Sequence, residues 1–144
     1  MKHKVLNKAD IITYALVFES GDEVMEGLRQ FVNDHNITSG RLTALGAFNN
    51  CELGYFDYAI KDYKKIEVPQ QVEVLSFLGD VAMFGHEAKV HVHVVLGKYD
   101  GDAIGGHLMQ AIAHPTVEVI LEETAGYLKR RMDRETWLPL IVID

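Results

Sequence analysis

Three histidines carry the chemistry that this sequence offers. Val90-His91-Val92-His93-Val94 alternates strictly between apolar and imidazole side chains, the period-two pattern of a β-strand with two different faces. The valines point into a core, and His91 and His93 stand side by side on the opposite face. Such a face is ordinarily filled with Thr, Lys, Glu or Ser; here it holds only His. Asp100-Gly101-Asp102 follows as a turn, and Gly105-Gly106 directly precedes a third histidine, His107. A chain that reverses at Asp-Gly and passes through two glycines can bring His107 back beside the first two. Three converging imidazoles with an open fourth position form a zinc arrangement. A solvated strand face with His107 as a turn residue accounts for the same spacing, and both readings stand at this point. Imidazole ligands also suit copper, nickel and iron; a divalent metal, zinc by availability and geometry, is the expectation.

The elements that would position these residues follow from the pattern around them. Residues 10–19 read as a buried first strand. Ser20 and Glu23 have the spacing of a capping box, and Val24, Leu28, Phe31 and Val32 form one stripe of the helix that it opens. The helix ends near His35-Asn36, with His35 as a structural residue. Residues 40–48 and 51–58 read as a hairpin that turns at Asn49-Asn50, and 59–70 as a polar edge strand or loop. Residues 72–78 form a strand, turned or bulged at Gly79-Asp80 and continued by 81–84, and Gly85-His86-Glu87 turns into the histidine strand. Gly105-Gly106 reads as turn geometry. Pro115 makes 111–115 a connection, followed by a strand at 116–124, a polar stretch at 126–135 and an apolar strand or tail at 137–143. Residues 1–9 are an N-terminal segment, and 10–144 one domain.

Glu73 is the carboxylate that this layout nominates as general base or as orienter of an imidazole. It lies on a strand expected to neighbour the histidine strand, flanked by Val72 and Val74; a solvated surface carboxylate is the plain alternative. Asp100 and Asp102 are explained by turn chemistry, and His114 is a secondary polar candidate. Phosphate-cradling and dinucleotide-binding fingerprints are absent from the sequence, as is a nucleophile–base pair.

Composition narrows the classes. The 144 residues are 48% hydrophobic and carry a formal net charge of −7, which fits one globular domain with its own core and argues against non-specific nucleic-acid binding. Lys129-Arg130-Arg131 is a short basic cluster, read as solvated. Without an apolar run of 18 residues no membrane span is expected, and a cytoplasmic location is the expectation. The single cysteine, Cys51, excludes an internal disulfide and reads as a small buried residue.

The Ser-Gly-Asp-Glu helix start, Gly46-Ala47-Phe48, the run Val72 to Gly79, His91-Val92-His93 and Gly105-Gly106-His107-Leu108 occur in that order. Together they resemble the "plants and prokaryotes conserved" (PPC, DUF296) domain family over about residues 10–143. The resemblance implies an α/β (α+β) domain, with a mainly antiparallel sheet and one principal helix, that assembles as a homotrimer. It also implies metal binding, plausibly of zinc, by His91, His93 and His107. Plant members of the family join the domain to an Arg-Gly-Arg-Pro minor-groove binder. This chain lacks that element and any basic tail, so direct DNA binding is not expected of it. A DNA-associated or protein-interaction module is the alternative function. A metal-dependent, hydrolase-type enzyme acting on a small molecule and a metal-stabilised assembly module both remain open.

Overall fold

The computed structural model describes residues 1–8, 11–124 and 127–143, with backbone only for 2–8. Asp10, the expected start of the first strand and of the domain, lies outside the described residues. So do Gly126, at the head of the polar stretch, and the C-terminal Asp144. Among the described residues the order is β1 (Lys2–Lys8), β2 (Ile12–Glu19), α1 (Val24–Asp34), β3 (Ser39–Asp57), β4 (Asp62–Val68), β5 (Val72–Phe84), β6 (Glu87–Gly97), β7 (Ala103–Glu123), β8 (Lys129–Met132) and β9 (Pro139–Val142). The expected class, a mainly antiparallel sheet with one helix, is what the chain forms.

The sheet closes on itself around the apolar core. β3 pairs with both β5 and β7, and β6 pairs with both β5 and β7, all antiparallel. Outside this ring, β2 adds to β7, β1 to β2, and β4 to β3. The alternation of β6 dictates its orientation: Val92 and Val94 are buried with Leu96, and Val90 packs against the same core. Phe77 and Val81 of β5 and Leu42, Phe48 and Leu53 of β3 fill the space beside them. Helix α1 covers the core with Val24, Leu28, Phe31 and Val32, the stripe expected of its 3.6-residue period. Fully burying one such leucine stabilises by about 1.5–3 kcal/mol. Cys51 is buried among them, and burial pushes its thiol up to about 11, so it is no nucleophile at neutral pH.

Several local expectations are corrected. β3 does not turn at Asn49-Asn50: Asn50 faces Ile112 and Cys51 faces Ala111 along β7. An Asn pair lacks the glycine that a tight hairpin favours, and register shifts around Phe48 bend the strand instead of reversing it. Gly79-Asp80 is no turn either, because β5 runs unbroken. A Cβ on Gly79 would lie 2.7 Å from the His91 carbonyl oxygen, so this glycine permits close strand approach. Gly105 serves the same purpose, since its Cβ would lie 2.6 Å from the Val94 oxygen. The turn after the histidine strand is made earlier, where the Gly101 amide donates to Lys98 O and Lys98 N to Asp102 O.

Residues 111–115 are likewise part of β7. The β3–β7 pairing passes from Gly46↔Val117 to Phe48↔Ala113, which leaves His114 and Pro115 in a register shift where the proline's missing N–H is not needed. The capping box is also replaced. Glu23 is itself the N-cap, its carboxylate accepting from the Met25 and Glu26 amides, while the Ser20 hydroxyl pairs with His114 Nδ1 at 2.8 Å. His35 is structural as expected, stacked on Phe31 with ring centroids 4.0 Å apart. The stretch 59–70 contributes the edge strand β4. The tail is a hairpin, β8–β9, held to β5 through one parallel pair, Met83↔Lys129.

Candidate metal centre

The ring places the three histidines on one patch of its outer face. His91 and His93 are two residues apart on β6, and His107 of β7 is the cross-strand partner of His93. Ring centroids are 4.9 Å apart for His91–His93, 5.0 Å for His91–His107 and 5.5 Å for His93–His107. One nitrogen from each lies within 4.8 Å of the others. On a tetrahedral zinc, ligand nitrogens sit about 3.3 Å apart, a closure that small χ adjustments supply.

The electrostatics suit a cation. Burial pushes the His107 imidazole down to about 4, aided by repulsion from His91 and His93. Burial, with His91 as the second cause, lowers His93 as well. Both rings are therefore neutral at neutral pH, the state in which a nitrogen lone pair is free to bind a metal. His107 Nδ1 is buried and has no hydrogen-bond partner among the described residues.

A carboxylate does stand at this site, and it is Asp80 rather than Glu73. Asp80 is the cross-strand partner of His91, with Oδ2 3.6 Å from His91 Nδ1. That contact occupies the Nδ1 side of the ring and leaves Nε2 free, the arrangement a carboxylate makes behind a metal-bound imidazole. Burial raises the Asp80 carboxyl, but hydrogen bonding from His91 and Arg130 outweighs it and holds the group below its usual range. Arg130 reaches Asp80 from β8 through Nη2 and donates through Nη1 to Pro139 O at 2.8 Å. Glu73 is exposed and faces Gly97, four residues along β6 from His93. Within the chain the structure does not bring it to the imidazoles. Asp100 and Asp102 stay at the turn, and His114 pairs with Ser20 away from the cluster.

The residues missed from the sequence are Asp80, Arg130 and Tyr63. Asp80 was hidden by its Gly-Asp turn signature. Arg130 sat in a basic run read as solvated, yet its side chain is only 7% exposed; its two neighbours, Lys129 and Arg131, are exposed, an alternation that could have revealed it. Tyr63 of β4 lays its ring 4.9 Å from that of His107.

The model of the Plants and Prokaryotes Conserved (PCC) domain matches residues 7–125. The chain belongs to this family. Its fold recurs in a metal-containing protein from Archaeoglobus fulgidus, 29% identical, with TM-score 0.84 and 99% of this chain and 97% of that one covered. It recurs in a plant- and prokaryote-conserved protein from Pyrococcus horikoshii at 25% identity, TM-score 0.85, covering 99% and 96%. A candidate DNA-binding protein from Bacteroides thetaiotaomicron shares the fold at 21% identity, TM-score 0.87, covering 97% and 96%. No curated protein sequence matches the chain. The PCC match ends before β8, so Arg130 and the hairpin that carries it lie beyond the matched domain.

Proposed function

We propose that this PCC chain binds a divalent metal, zinc in the first instance, through His91, His93 and His107, and works as a homotrimer. The observation that carries the reading is the convergence of three imidazoles within 4.8 Å, two of them kept neutral by burial. Asp80 behind His91 supplies the orienting carboxylate. The metal-containing relative from Archaeoglobus fulgidus, alike over nearly its whole length, supports the same reading. With three protein ligands the fourth position stays open, and a zinc there would polarise a bound water or a ligand oxygen. His91 and Asp80 align the site, and Arg130 holds Asp80 in place.

The trimer is supported by the outer face of β3, β5 and β7, where Leu45, Leu78 and Ile120 are exposed at 68%, 61% and 39%. Apolar side chains gathered this way favour coverage by another surface. Leu78 pairs across to His93, so a partner seated there would border the metal site. The chain is proposed to act in the cytoplasm with Cys51 reduced. No described helix is long and apolar enough to cross a membrane. Direct duplex binding forms no part of the proposal, because a chain of net charge −7 releases few counterions from DNA.

The test is metal content of untagged protein by inductively coupled plasma mass spectrometry, with zinc offered at saturation. About one zinc per chain in the wild type and less than about a tenth of that in His91→Ala is expected, since removing one of three ligands collapses affinity. Equal metal in both proteins would remove the basis of the proposal.

A further inference from the structure

Beside the imidazoles lies a cavity of about 330 Å³, inside the size range of small-molecule sites. Its apolar wall comes from Phe84 and Val90 on one side and from Leu138, Pro139 and Leu140 of the C-terminal hairpin on the other. Its polar lining is Tyr63, Lys89, His91, His107 and Arg130. Every one of these is a hydrogen-bond donor, a cation or a metal-ligand candidate, and none is a carboxylate, in a protein whose net charge is −7. Of the acids around it, Glu87 is paired with Lys89 at 2.7 Å, and Asp80 is engaged by Arg130 and His91. Arg130 itself is 7% exposed, and its Nε–H is buried and finds no acceptor among the described residues. One donor of its fork is thus left over. A dication held by three neutral imidazoles would have no carboxylate in its ligand set, and Asp80 behind His91 is already paired with Arg130.

We propose that this cavity binds a small carboxylate with an apolar body. The carboxylate meets the open metal position and the Arg130 side of the cavity, and the apolar body packs against the Leu138–Leu140 wall. The assignment rests on the metal reading above. It makes the β8–β9 hairpin the determinant of specificity: without it the histidine patch keeps its ligands but loses the cationic wall and the apolar one. Arg130 is then a ligand-binding residue as well as the brace of Asp80.

The probe is benzoate, titrated calorimetrically into the zinc-loaded full chain, with benzamide as its neutral counterpart of similar shape. Benzoate binding at least about tenfold tighter than benzamide is expected, because only the carboxylate gains charge-assisted hydrogen bonds. Arg130→Met, loaded at saturating zinc and with its metal content measured alongside, weakens benzoate about tenfold or more. Leu140→Trp, which fills the cavity without touching the ligands, does the same, and it carries the test if circular dichroism shows that Arg130→Met is unfolded. Equal affinity for benzoate and benzamide, or benzoate binding unchanged in a folded Arg130→Met and in Leu140→Trp, overturns the proposal. If the wild type takes up no zinc, the metal reading fails on its own. Benzoate binding to that metal-free protein with the same dependence on Arg130 and Leu140 would still uphold the cavity assignment, and no binding would overturn it too.

Discussion

Acid tests the environment of His107 directly. A histidine held neutral in the fold but free to protonate once unfolded makes the unfolded chain bind more protons, so stability falls as pH falls. The loss begins near the unfolded value of 6.5 and is complete below the folded value of about 4. At ~1.4 kcal/mol per pH unit this separation corresponds to about 3 kcal/mol. The ring is only partly buried, so solvent screening reduces the figure to about 1–2 kcal/mol. The perturbation is His107→Gln, which keeps a polar side chain and removes the titration. Urea melts of chelator-treated protein at about pH 7.5 and about pH 4.5 give the stability change for each protein, and the difference between the two changes isolates the histidine from any packing cost of the substitution. Wild type is expected to lose about 1–2 kcal/mol more than the variant across that window. Identical losses would refute the claim that burial keeps His107 neutral. With zinc present the wild-type loss grows further, because protonation of the ligands expels the ion.

Two further outcomes follow from the packing. Gly46 has φ +139°, and a Cβ there would lie 2.3 Å from Thr116 O; Gly46→Ala therefore costs about 3 kcal/mol or more, whereas Gly85→Ala, with φ +65° and nothing within 4 Å, costs about 1–2 kcal/mol, a contrast that urea melts resolve. Leu78→Asp places a charge on the exposed apolar face, and light scattering is expected to show the proposed trimer replaced by monomer while zinc content stays above about half of the wild-type value, because Leu78 is outside the proposed ligand set; an unchanged mass would remove that face from the interface.

Much of the site was legible because it lies on a half-buried strand. Alternation at Val90 to Val94 fixes which side chains share a face, and period two leaves no other arrangement once the valines are buried. The convergence of His107 was also readable from the reversal at Asp100-Gly101, although Gly105-Gly106 works by letting β6 and β7 approach, not as a turn. Asp80 and Arg130 escaped notice because their roles depend on pairing across 50 residues of chain, which no local pattern encodes. The same limit explains Asn49-Asn50 and Pro115. Each signals a turn locally, but β3 and β7 remain partners along their length, and the continuous ladder outweighs a weak turn preference. Glu73 was placed on the correct strand, but the antiparallel register sets it opposite Gly97, four residues along β6 from His93.

The closed ring treats the three histidines of the proposed site unequally. His93 and His107 each stand where their strand is paired along both edges, with β5 and β7 flanking His93 and β3 and β6 flanking His107. His91 lies just before β7 joins β6 and is paired only with β5. Two anchors are thus set in backbone that cannot shift without opening two ladders, while the third has one open side and is steadied by Asp80 and, through it, Arg130. An ion could enter or leave by the swing of a single imidazole, with the rest of the scaffold at rest. The aspartate–arginine brace sits where it would govern how readily that gate moves.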